Sequence, residues 1–222
     1  MKLTKDLNYN EEQFDQLLGI KNVFDIGKKE LTICGIRNLL YSATFLVNAE
    51  EVTQILLNFF QTNYEYDDET CFNYIYQNLS CINVSVSSNF DELVNAIFNG
   101  LVVFLINNSD KAIIIDLRKY PQRGLSEPDM EKVVRGSKEG FCENIAVNIG
   151  LIRRRIKTND LVIQKREIGN YSKTLVSIIY LKEKCESRII LILITVLAYN
   201  IPCQLNLEFP FLILQCCHYV LK

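Results

Sequence analysis

The sequence is short of the residues that most often do chemistry. Of 222 residues one is histidine, His218, and it stands far from the other polar clusters. A Cys/His nucleophile is therefore not expected. Eight cysteines are present, but no C-x-x-C spacing or regular framework relates them. Reduced thiols are the expected state, and Cys216-Cys217-His218, with no second ligand cluster, makes a poor tetrahedral metal site. No glycine run leads into the Gly-Lys-Ser/Thr of a P-loop. No apolar run follows Met1-Lys2-Leu3-Thr4-Lys5-Asp6, so a secretory signal is not expected. The longest uncharged apolar run, Ile189 to Tyr199, has 11 residues. Roughly 20 are needed to span a bilayer. A net charge of −2 gives no overall field for nucleic acid, and no nucleic-acid partner is expected. Catalytic residues, metals and cofactors are all expected to be none.

What the chain does have is a composition able to build a core: 49% hydrophobic against 23% charged residues. Asn10 to Leu18 reads as a capped helix with Phe14, Leu17 and Leu18 on one side. Leu31–Cys34 and Leu39–Val47 read as two strands parted at Gly35. A helix is expected from Asn48 or Ala49 to about Phe60, on the stripe Val52, Ile55, Leu56 and Phe59. Asn63 to Leu79 is acidic and tyrosine-rich, and the tyrosines are expected half buried on a helix. Ile82–Val86 reads as a strand and Asn89–Phe98 as a capped amphipathic helix. Leu101–Ile106 and Ala112–Leu117 form the clearest hairpin, turned by Asn107-Asn108-Ser109-Asp110.

The expected fold class is α/β, with two small subdomains whose mixed sheets are flanked by helices. Residues 1–117 make the first subdomain, which delivers Asp116 and Arg118 to a sheet end. Residues 118–182 hold a linker, an arginine-rich helix and the start of a second subdomain, with strands at Leu161–Arg166 and Thr174–Leu181. Residues 183–222 are a divergent hydrophobic tail, in which Glu208 is the one charge between Ile189 and Leu221. A buried pair of elements and an interfacial segment both fit that pattern.

The stretch from Asp116 to Ile156 concentrates cations within a chain that is otherwise acidic. Ser126–Val134 reads as a short helix, with Ser126 as its cap and Pro128 in its first turn. A second helix is expected from near Phe141 to Ile156, burying Ile145, Ile149, Ile152 and Ile156. Asn144, Asn148 and Arg155 fall off that stripe, on a polar face. Arg153, Arg154 and Arg155 suit the negative end of the helix as a solvated face. Alternatively, the loop Arg135–Phe141 could bind an anion at a helix start, giving a small-molecule phosphate-binding enzyme domain.

The same stretch resembles the N-terminal soluble domain of the A subunit of GerA-type spore germinant receptors. The residues that carry the resemblance are Asp116, Arg118, Arg123, Glu127-Pro128, Glu131, Val134-Arg135-Gly136, Glu139-Gly140-Phe141, Glu143-Asn144, Asn148, Leu151 and Arg153 to Ile156. A thinner match continues through Leu161, Ile168-Gly169, Ser172, Thr174 and Ile179-Tyr180-Leu181. No residue-level match is expected beyond about Leu181, where truncation or a frameshift would explain the tail.

The resemblance implies a non-enzymatic domain of a membrane receptor complex in the spore inner membrane. Such a domain works with B- and C-type subunits to trigger germination on sensing small nutrients. Arg118, Arg123, Glu127, Arg135, Gly136, Glu139, Asn144, Asn148 and Arg154 are the candidate residues, either for a ligand or for an interface between subdomains. Arginine forks suit the carboxylates of nutrient-like ligands, and equally suit fixed pairs with nearby glutamates.

Overall fold

The computed structural model describes residues 1–33, 35–60, 68–81, 83–120, 141–142, 144–168 and 173–185. Its elements run α1 (Leu7–Leu18), β1 (Ile26–Ile33), β2 (Ile36–Ala43), α2 (Ala49–Phe60), α3 (Asp68–Asn78), β3 (Val84–Ser87) and α4 (Phe90–Phe98). There follow β4 (Val102–Ile106), β5 (Ala112–Ile115), α5 (Ile145–Arg155), β6 (Leu161–Ile168) and β7 (Thr174–Leu181). Five strands form one sheet in the order β1-β2-β4-β5-β3, and β6 pairs with β7 in a second. Mixed sheets were the expectation. The described pairings are antiparallel throughout, and close connections dictate this for β1 with β2, β4 with β5 and β6 with β7.

Helices cover both faces of the larger sheet, which explains strands with no polar alternation. Along β4 the odd positions Val103 and Leu105 face one core, with Leu39, Tyr41, Phe14 of α1 and Phe90, Leu93 and Ile97 of α4. The even positions Val102, Phe104 and Ile106 face the other, with Ile55 and Phe59 of α2 and Cys71 and Ile75 of α3. A strand buried on both sides has no face left for polar residues. Phe14 stacks on Tyr41 and tilts against Phe90, with ring centroids 5.2 and 4.9 Å apart. On α3, Tyr74 is half buried while Tyr76 is exposed, so only the first of these two tyrosines matches the half-buried expectation.

Local chemistry sets the element ends. Asp6 caps α1 by accepting from the amides of Asn8 and Tyr9, which starts the helix three residues earlier than Asn10. Asn89 caps α4 in the same way through the amide of Asp91. In the β4–β5 turn, Asn108 takes φ 57°, a left-handed conformation that asparagine tolerates. The segment read as a helix at Ser126–Val134, the loop Arg135–Gly140 and the tail from 186 lie outside the described residues.

The smaller unit packs α5 over β6 and β7. Its core joins Ile149, Leu161, Ile163 and Ile179 with the partly buried Ile145, Ile152, Phe24 and Phe45. The helix begins at Ile145 rather than near Phe141. Asn144 is its cap, accepting from the amides of Ala146 and Val147. Ile156, expected on the buried stripe, lies past the last turn with extended backbone and is 36% exposed.

Candidate functional site

After β5 the chain leaves the sheet as Asp116-Leu117-Arg118-Lys119-Tyr120, and its backbone stays bound. The Asn48 amide donates to the Leu117 carbonyl and the Lys119 amide to that of Leu46, both at 2.9 Å. Leu117 turns into the core while Asp116, Arg118 and Tyr120 point the other way, as strand alternation requires. Arg118 then forks onto Asp116, with Nε 2.7 Å from Oδ1 and Nη2 2.5 Å from Oδ2. Its Nη1 donates to the Tyr120 hydroxyl at 3.3 Å. The hydrogen bonds from Arg118 hold the Asp116 carboxyl below the usual carboxylate range, and the same bonds raise the guanidinium.

Tyr120 is the pivot of this cluster. Its hydroxyl donates to the carbonyl of Asn99, the residue that ends α4, at 3.4 Å. The Arg154 guanidinium lies 4.7 Å from the centre of its ring and that of Arg118 6.0 Å. Lys157 donates to Asn99 Oδ1 at 2.8 Å. Gly100, at φ +84°, lets the backbones close here. A Cβ on it would sit 2.9 Å from Leu46 Cβ, closer than carbon atoms approach.

One residue before Arg154 on α5 lies a buried ion pair. Arg153, 1% exposed, directs Nε to Asp25 Oδ2 at 2.6 Å and Nη2 to Oδ1 at 3.1 Å. Its remaining donors reach the carbonyls of Thr158 and Leu161, and its guanidinium lies 5.2 Å from the Phe98 ring centre. Arg153 is therefore not part of a solvated arginine face, as its place in Arg153–Arg155 suggests. The helix turns it inward, where a carboxylate and two carbonyls replace its water.

Asn148 is turned inward as well. It is fully buried rather than polar-facing: Oδ1 accepts from the Cys142 amide at 2.8 Å and Nδ2 donates back to the Cys142 carbonyl. It thus clamps the chain entering α5.

Of the nine candidates, Arg118 and Arg154 meet at Tyr120. Asn144 and Asn148 sit towards the other end of α5, with Asn144 about 15 Å from Arg154 at 1.5 Å per residue. Arg123, Glu127, Arg135, Gly136 and Glu139 fall outside the described residues. Asp25, Tyr120, Arg153 and Lys157 were not anticipated. Asp25 and Arg153 are 128 positions apart, a separation no local pattern encodes. Among the described residues, no group of three His, Cys, Asp or Glu side chains is placed to hold a metal ion.

This layout has known relatives. The model of the Bacillus/Clostridium GerA spore germination protein family matches residues 12–198. The chain belongs to the GerA family. That match runs past Leu181, to which the residue-level resemblance extends. Over 175 residues the chain is 34% identical to stage V sporulation protein AF of Bacillus subtilis (strain 168), covering 78% of this chain and 36% of that protein. Over 97 residues it is 38% identical to spore germination protein A1 of the same organism, covering 44% and 20%. This GerA-family chain therefore spans only part of the length of those relatives. The crystal structure of the N-terminal domain of the A subunit of the Bacillus megaterium spore germinant receptor GerK3 superposes with a TM-score of 0.68. The match covers 89% of this chain and 73% of that one at 20% identity, a likeness of fold.

Proposed function

We propose that this chain is a non-enzymatic domain of a spore germinant receptor A-type subunit. It works at the spore inner membrane, on the cytoplasmic side, with B- and C-type subunits, in ligand sensing or signal transmission. The observation that carries this reading is the GerA match across residues 12–198, on a fold shared with a germinant receptor A-subunit domain. Among the described residues, no helix is long and apolar enough to cross a membrane. Attachment to the membrane would fall to other segments of the subunit.

Between the two roles, the geometry favours transmission over capture of a nutrient. Three nitrogens of Arg118 are engaged by Asp116 and Tyr120. Asn148 is spent on Cys142, and Asn144 on the start of its helix. These side chains are spent bracing their own segments, which suits a rigid relay between partner subunits better than a ligand pocket. Arg123, Glu127, Arg135, Gly136 and Glu139 stay candidates for ligand contact within the same proposal.

The test is genetic and biochemical. Deleting the gene from a spore-former that carries it should slow the nutrient-triggered fall in optical density, and the tagged protein should co-purify with B- and C-type subunits. Germination unchanged for every nutrient, with no subunit recovered, would sink the reading. A thermal shift of the purified protein with a nutrient amino acid would move the assignment from transmission to sensing.

A further inference from the structure

We propose that the corner built from Arg118, Lys119, Tyr120, Arg154, Arg155 and Lys157 docks onto an anionic lipid surface. The inference rests on the reading above, which sets the domain beside a membrane, and adds which face meets it. Two segments far apart in sequence supply the corner. Residues 118–120 come off the sheet and residues 154–157 off the end of α5, and Tyr120 and Asn99 join them. Arg118, Lys119, Arg155 and Lys157 are exposed and Arg154 is half buried.

Charge makes the corner distinct. Among the described residues, five cations stand there with one acid, Asp116, which is already forked by Arg118. These described residues sum to +4 within a chain that totals −2. That local excess would draw this corner towards negative headgroups. Clusters of four to eight Lys and Arg beside a membrane have the strength for such contact, at about fivefold in affinity for each cation.

The apolar part of the corner also fits an interface. Ile156, between Arg155 and Lys157, is 36% exposed, beside a Tyr120 ring that is itself partly buried against the core of α1 and α4. An acidic protein partner would satisfy the charges alone, whereas an exposed isoleucine flanked by cations suits the boundary between headgroups and acyl chains. A domain tethered to its membrane needs only weak attraction, because tethering supplies a high effective concentration.

The test uses the full chain with two kinds of vesicle, phosphatidylcholine alone and phosphatidylcholine mixed with phosphatidylglycerol. Binding should require phosphatidylglycerol and should vanish near 1 M salt, where the Debye length is about 3 Å. The triple variant K119E/R155E/K157E should lose about a hundredfold in affinity or more, from three cations at about fivefold each. It should still melt in one cooperative transition with the parent's circular dichroism, although Lys157 gives up its hydrogen bond to Asn99.

Equal binding to both vesicles, or no loss in the triple variant, would overturn the proposal and point to the hydrophobic tail instead. Absent vesicle binding, together with loss of partner subunits from the triple variant in spores, would overturn it in favour of an acidic protein surface. None of these outcomes touches the deletion phenotype, so this inference can fail while the receptor reading stands.

Discussion

Arg153, Arg154 and Arg155 are identical in formula and differ in everything the fold does with them. Arg153 is sealed against Asp25, Arg154 lies half buried over an aromatic ring, and Arg155 is exposed. A turn of 100° per residue sends three neighbours in three directions, and only what they meet sets their roles. Replacing Arg153 by alanine leaves the Asp25 carboxylate buried and unpaired. This should cost about 3–5 kcal/mol in urea unfolding. The double variant D25L/R153M, which swaps the pair for apolar residues of similar bulk, should recover most of that loss. A double variant no better than the single one would mean that the two carbonyl contacts of Arg153, not the ion pair, carry its weight.

Helix α5 is held at its start by a side chain from its own first turns. Asn148→Ala removes both bonds to Cys142 and leaves an amide without its acceptor. The expected cost is about 1–3 kcal/mol. Faster protease cleavage around residues 141–144 than in the parent would confirm that the clamp, not the helix, has opened. The contact between α1 and the β1–β2 hairpin adds charge to the packing of Phe14 on Tyr41. Lys28 lies 2.5 Å from Glu11 and 2.7 Å from Asp15, and Arg37 reaches both Glu11 and Glu30. The Tyr41 hydroxyl donates to Asp15 from a fully buried ring.

These contacts make stability depend on pH in opposite directions. Burial raises the Glu11 carboxyl, but hydrogen bonds from Lys28 and Arg37 outweigh it and leave it below its ordinary value near 4.5. The folded state thus binds fewer protons than the unfolded one. The stabilisation is full above that value and is lost as pH falls through it. Urea midpoints should drop as the pH is lowered below about 4.5, and Glu11→Gln should flatten the drop. Tyr41 works the other way: burial, with Asp15 beside it, raises its hydroxyl above the ordinary value near 10. Stability should therefore fall again as pH climbs past 10, and Tyr41→Phe should remove that part.

The whole molecule shares its cores between the two units. Val162 of β6 is buried under α1 and α4, while Phe24 and Phe45 of the first unit pack with α5. The Phe24 amide donates to the Ile163 carbonyl, beside the Asp25–Arg153 pair. We propose that residues 1–117 and 118–182 are two subdomains that unfold as one. Circular dichroism of the larger unit and fluorescence of the tyrosines should follow one urea transition. A fragment of residues 1–117 should melt well below the full chain, having lost Val162 from its core and the partner of Asp25.

Helix and strand positions were legible because they depend on neighbours a few residues apart. The stripes of α2 and α4 and the β4–β5 hairpin announce themselves through periodicity, and the cap of α4 through one asparagine. The family resemblance was legible too, in an ordered run of residues from Asp116 onward. What the linear pattern could not hold was every contact that joins distant segments. Asn148 reads as polar, yet the fold buries it, because a fully bonded amide no longer needs water. Arg153 reads as surface charge until Asp25 arrives from 128 residues away. The basic corner exists only because the end of α5 is laid against Tyr120 and Asn99. Local propensity acts through the bonded chain, whereas burial and charge pairing act through space, so the kind and order of the elements belonged to the sequence and the site to the packing.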